Sequence, residues 1–132
     1  MTVDGLIVHQ SKHTPAGTMR RLMDAVAARG IPVLAHIDHA AAAEKAGLSQ
    51  RPTDLLVFGN AKAGTPLMAA HQTLGIDLPL KVLVWQDEEA KTWLGYNDPV
   101  YLAHRHGAEA GNEHILSAMR DLLAALAVQA GE

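Results

Sequence analysis

Apolar positions fall at strand and helix spacings along the first third of the chain. Leu6 to Val8 is a short apolar run broken at once by His9, Gln10, Ser11 and Lys12, which predicts a first strand over 6–9. Thr14 and Pro15 then suit an N-cap and the first helical position. Met19, Leu22, Met23 and Val26 recur at i, i+3, i+4 and i+7, so one face of a helix running to about Arg29 is buried, and Gly30 stands where a left-handed closing residue is wanted. From Pro32 to Asp38 the pattern changes to alternation. Val33, Ala35 and Ile37 share one face, and Leu34, His36 and Asp38 share the other, as in a strand with one buried side.

The remaining elements follow from the same two periods. His39 to Ala46 is an alanine-rich short helix with Asp38 as its cap and Gly47 as its stop. Asp54 to Phe58 is almost continuously apolar, which predicts a strand covered on both faces or central in its sheet. Thr65 and Pro66 repeat the cap-then-proline signal and predict a short helix toward His71. Leu80 to Gln86 and Thr92 to Tyr96 read as antiparallel strands joined by the polar stretch Asp87 to Lys91. Asp98 and Pro99 open another short helix, ending at Gly107. Asn112 then caps a last helix with a stripe of Ile115, Leu116, Met119, Leu122, Leu123 and Leu126. This order of elements predicts an α+β fold, a two-layer sandwich with an antiparallel-rich sheet and short helices in the loops, not alternating βαβ winding.

Composition narrows the partners. The 132 residues are expected to form a single domain over 1–132, and 48% hydrophobic against 19% charged residues excludes charge-driven disorder. A net charge of −3 provides no basic field for nucleic acid or an acidic membrane, so neither is expected as a partner. With no cysteine in the chain, disulfides, thiolate nucleophiles and cysteine-ligated metals are excluded. The start of the chain holds no signal-peptide core or membrane span, and a cytoplasmic location is the expectation.

Three constellations carry candidate chemistry. Gly59 to Pro66 joins a buried strand to a helix start, where free backbone N–H groups favour anions and Lys62 adds a full charge; the same residues also make an ordinary turn and cap. The loop lacks the Gly-Lys-Ser/Thr ending of a nucleotide-binding P-loop. His36, Asp38 and His39 are residue types that ligate metals or act as a general base, but no further cluster completes a metal centre, and no metal is expected. Their alternative role is capping and local hydrogen bonding. His104 and His106 lie about 200° apart on a short helix and so cannot chelate one ion, and with Arg105 they suit a helix C-terminus. Asn97 and Asp98, following Tyr96 at a strand end, form the third group.

Four segments carry a resemblance. They are Ile37 to Leu48; Arg51 to Thr53 with Leu56 to Asn60 and Lys62 to Met68; Asp77 to Val84; and Trp93 to Leu102. Together they resemble the family called domain of unknown function 302, also known as the TT-type hypothetical proteins. The resemblance implies a β-α-β4-α sandwich of the TATA-binding-protein-like kind, a homodimer, and no assigned activity or cofactor. It also implies motif positions at Asp38, His39, Asn60, Lys62, Gly64, Thr65, Pro66, Asp77, Tyr96, Asn97 and Asp98. Ala61 stands where the family more often has proline, and His104 where it more often has lysine.

The resulting expectation is an uncharacterised homodimeric domain that binds a small molecule or anion in a cleft between strand ends, with His39, Asn60, Lys62, Thr65, Asn97 and Asp98 as ligand-binding residues. Two alternatives stand beside it. One is an enzyme using His39 as general base or metal ligand; the other is a non-catalytic interaction domain whose interface comes from apolar side chains of the Leu80 to Tyr96 hairpin.

Overall fold

The computed structural model describes residues 2–132. Its strands are β1 (Leu6–Ser11), β2 (Val33–Asp38), β3 (Thr53–Phe58), β4 (Leu80–Gln86) and β5 (Thr92–Asn97). The α-helices are α1 (Pro15–Ala28), α2 (His39–Lys45), α3 (Ala61–Ala70), α4 (Pro99–Arg105) and α5 (Glu113–Gly131), with a 3-10 turn at Gln72–Ile76. One five-stranded sheet has the order β1-β5-β4-β3-β2, and every neighbouring pair is antiparallel. The two-layer α+β sandwich and its β-α-β4-α order are as expected.

The core lies between the sheet and the two long helices. Leu22 and Val26 of α1 and Leu126 of α5 are fully buried against Leu56, Phe58, Val82, Val84 and Leu94 of the strands. Burying each such side chain contributes on the order of 2 kcal/mol. A buried hydrogen bond between the hydroxyls of Ser11 and Thr18, 2.6 Å apart, ties the end of β1 to the first turn of α1. Thr14, Asp38 and Asp98 cap their helices as the sequence predicts, accepting from the amides of Gly17, Ala41 and Val100.

Four local expectations are corrected. The helix expected to be capped by Thr65 begins five residues earlier, because the Asn60 side chain accepts from the Ala63 amide and supplies the cap itself; Thr65 and Pro66 lie inside α3. Asn112 makes no side-chain cap hydrogen bond and instead donates from Nδ2 to the Ala108 carbonyl. The register of β2 shifts between Val33 and Ala35, so these two point to opposite faces and strict alternation fails. As an edge strand, β2 has no fully buried residue. Finally, β3 is an interior strand paired with β2 and β4, as the second of its two expected readings has it, and only the first is corrected: Leu56 and Phe58 are buried under the helices, whereas Leu55 and Val57 are half-buried on the other side.

Candidate functional site

Antiparallel pairing puts the start of β2, the end of β3, the start of β4 and the end of β5 at one end of the sheet. The connections leaving these termini carry three of the motif groups: Asn60 to Thr65, Asp77 to Pro79, and Asn97 with Asp98. The opposite end holds Asp38 and His39. The fold therefore separates residues that the sequence grouped into one cleft.

Between α3, β2 and the segment before β4 lies a cavity of about 340 Å³. Its walls are mostly apolar, with Leu34, Met68, Leu78, Pro79, Leu80 and Met119 supplying the larger side chains. Asn60 and Thr65 are the polar side chains in the wall, and Gly64 leaves the α3 side open. Asn60 is already committed through its carbonyl oxygen to the Ala63 amide at 3.0 Å, so its amide NH₂ is what remains for a ligand. Lys62, His39, Asn97 and Asp98 are not among the lining residues. A volume of this size falls at the small end of ordinary ligand pockets, and the wall chemistry favours an apolar body with a polar group.

The other expected site residues have identifiable structural work. Asp98 accepts from the Val100 amide at 3.0 Å and from the Arg120 guanidinium at 2.6 Å, joining β5, α4 and α5. Asn97 is exposed and pairs with Leu6 in the sheet. His39 is exposed at the first position of α2, and Asp38 spends one carboxylate oxygen on the helix cap, accepting from the Ala41 amide at 2.8 Å. His36 faces Asp54 at 3.3 Å across the β2–β3 pair. Among the described residues, no three His, Cys, Asp or Glu side chains are placed to share a metal ion.

Tyr96 is buried beside His9, their rings stacked with centroids 5.8 Å apart. Burial holds its phenol above the ordinary value of 10, and the negative charge of Asp98 pushes it the same way. A phenol harder to ionise folded than unfolded leaves stability intact below pH 10 and erodes it as pH rises from there toward the folded value. Thermal midpoints measured across alkaline pH should accordingly fall faster for the native protein than for Tyr96→Phe. Equal slopes would remove Tyr96 from the alkaline response.

One cluster escaped the sequence reading. The imidazole of His106 contacts the Asp77 carboxylate through Nε2 at 2.6 Å and the Thr73 hydroxyl through Nδ1 at 2.8 Å. Arg105 donates to both oxygens of Asp77, at 3.1 and 3.0 Å. The imidazole donates from Nε2 to the carboxylate, and at Nδ1 it accepts from the Thr73 hydroxyl when the ring is neutral and donates to it when the ring is protonated. Arg105 claims the same carboxylate, and the cluster acts as a clamp between α4 and the segment leading into β4. Asp77 figured in the sequence only as a motif position, and His106 only as a helix-terminal charge.

A family model described as a domain of unknown function, DUF302, matches residues 7–126. The chain belongs to the DUF302 family. The crystal structure of an uncharacterised conserved DUF302 protein from Bacillus stearothermophilus matches it with a TM-score of 0.84 at 20% identity, over 97% of this chain and 99% of that one, and shows the shared fold. Curated relatives include a fluoride-specific ion channel, FluC 1, of Brucella suis biovar 1, 40% identical over 115 residues, which are 87% of this chain and 45% of that protein. The FluC 2 protein of Brucella melitensis biotype 1 is similar at 40% over 115 residues, 43% of its length. This DUF302 chain thus spans less than half the length of the curated relatives it matches. No helix among its described residues is long and apolar enough to cross a membrane.

Proposed function

We propose that this DUF302 domain is a homodimeric binding module for a small, largely apolar molecule held in the cavity under α3, with Asn60 and Thr65 reading one polar group. The observation that carries this reading is the wall itself: leucine, methionine and proline side chains around about 340 Å³, with polar side chains only at Asn60 and Thr65. Such a wall rewards desolvation of apolar surface and penalises an uncompensated charge. Lys62 is exposed on α3 and does not line the cavity, so this reading assigns it no part in binding.

The names of the Brucella relatives bear on the role of the module. Fluoride is a strongly hydrated anion, and a wall of aliphatic and thioether groups without a cation does not replace its hydration. Carried to this chain, the likeness supports an accessory ligand-binding module within or beside a larger assembly, with the cavity reserved for a different ligand.

Methyl-labelled methionines report the cavity directly, since Met68 and Met119 line it while Met19 belongs to the buried core. Titration with 2-naphthol, an apolar bicycle with one hydroxyl, is expected to shift the Met68 and Met119 methyl resonances and leave Met19 in place. Thr65→Val should weaken that binding about threefold to tenfold through loss of one hydrogen bond. Lys62→Ala should leave it unchanged. Unshifted Met68 and Met119 signals with 2-naphthol, together with phosphate binding that depends on Lys62, would replace the apolar reading with the anionic one.

A further inference from the structure

Helices α1, α3, α4 and α5 pack their buried side chains on one face of the sheet, and most strand positions pointing to the other face are apolar as well. An antiparallel sheet with a solvated face ordinarily alternates apolar inward with polar outward. Here the register aligns Val8, Gly95, Leu83, Leu55 and Ile37 in one row across all five strands. On one side of it a second row runs Gln10, Trp93, Trp85 and Thr53, and on the other side Ala35, Val57 and Lys81 form a third. Val8 and Ile37 at the two edges are 43% and 41% exposed, and Leu83, Trp85, Trp93, Leu55 and Val57 are each half-buried.

Gly95 shows how this face is levelled. A Cβ at that position would meet ring carbons of Trp85 at 3.0 and 3.1 Å, so the indole lies over the glycine and fills the gap in the row. Lys81 is the charged strand residue among those projecting to this side, and its ammonium reaches back to the Asp77 carbonyl at 3.4 Å. The polar side chains of Gln10 and Asn97 belong to the margin near β1, and Thr53 stands at the start of β3 beside Trp85.

We infer that two copies of this chain associate through this helix-free face, sheet against sheet, about a two-fold axis near Leu83. The inference rests on the homodimer reading above and names its surface. Charge permits it, because Lys81 is the one charged strand residue on this face and its ammonium is turned back toward the Asp77 carbonyl instead of toward a second copy. Area permits it too. Five strands about 4.8 Å apart and six residues long at about 3.3 Å per residue present a flat footprint of roughly 480 Å². Doubled for two copies, this comes close to the roughly 1,000 Å² that a specific interface needs. Two such faces then stack as in a β-sandwich, and β4, the middle strand, sets Leu83 beside the axis.

The chain contains two tryptophans, Trp85 and Trp93, and both belong to this face, so intrinsic fluorescence reports its burial. Sedimentation over a dilution series is expected to give twice 14.1 kDa at high concentration. On dissociation the tryptophan emission should shift to the red in step with the loss of mass. Leu83→Glu places two carboxylates at the axis and is expected to raise the dissociation constant at least about 100-fold while circular dichroism stays native. Mixing it with Leu83→Lys should restore the dimer. A folded Leu83→Glu protein that remains dimeric overturns this surface and leaves the homodimer reading standing. So does a native dimer whose emission does not move as its mass halves, a readout independent of any variant. A native protein that sediments at 14.1 kDa throughout overturns both.

Discussion

Replacing Asp77 with alanine is expected to lower the unfolding free energy by about 3 kcal/mol, the scale of losing one partner of a largely buried ionic and hydrogen-bonded group. The carboxylate is 13% exposed and the His106 side chain 9%, so water does not readily take over the lost contacts. Asp77→Ala strands His106 Nε2, which contacts the carboxylate at 2.6 Å, and frees the Arg105 nitrogen that is shared between the two carboxylate oxygens. The loss should appear in urea unfolding as a lower midpoint with an unchanged slope. Asp77→Asn retains one acceptor for the imidazole and should recover part of the stability. His106→Ala should cost a comparable amount but add little to Asp77→Ala in the double variant, because both remove the same contact. Additive losses would show that the two residues act separately and that the α4 clamp is not a unit.

The second large effect belongs to the cavity. Leu34→Trp is expected to abolish 2-naphthol binding, an affinity loss of at least about tenfold, or roughly 1.4 kcal/mol. Leu34 is 58% exposed at the mouth of the cavity, on the edge strand where the register shifts. The indole is expected to fold into the cavity, whose wall Leu34 shares with Met68 and Met119. Thermal stability should stay within about 0.5 kcal/mol of native, as for surface changes that break no specific interaction. Unchanged affinity with folded protein would place the bound probe elsewhere, and the methionine methyl shifts would identify where. The two variants test different levels of the fold: Asp77 holds the segment leading into β4, and Leu34 guards the space beside it.

Much of the architecture is written locally. Thr14, Asp38 and Asp98 are caps because each side-chain oxygen finds an amide two or three residues ahead, a relation that needs no tertiary partner. The stripes of α1 and α5 are likewise legible because helical periodicity places Leu22 with Val26, and Leu116 with Met119 and Leu123, on one side. Competing local signals limit such reading. Asn60 and Thr65 both suit a helix start, and the cap was taken by the residue whose carbonyl reaches the Ala63 amide.

Relations between distant segments were settled only in three dimensions. His106 and Asp77 are 29 residues apart and meet because the 3-10 turn and α4 converge. Asn60 and Thr65 share a cavity wall with Met119 because α5 returns across the sheet. His39 parts from Asn60 because a strand delivers its two ends to opposite edges of the fold. The Asp54 to Phe58 run shows the division most clearly: its residues determine that both faces of β3 are apolar, but the placement of α1 and α5 decides which face is buried. Side-chain period depends on backbone geometry within a few residues, whereas coverage depends on where helices far along the chain come to rest.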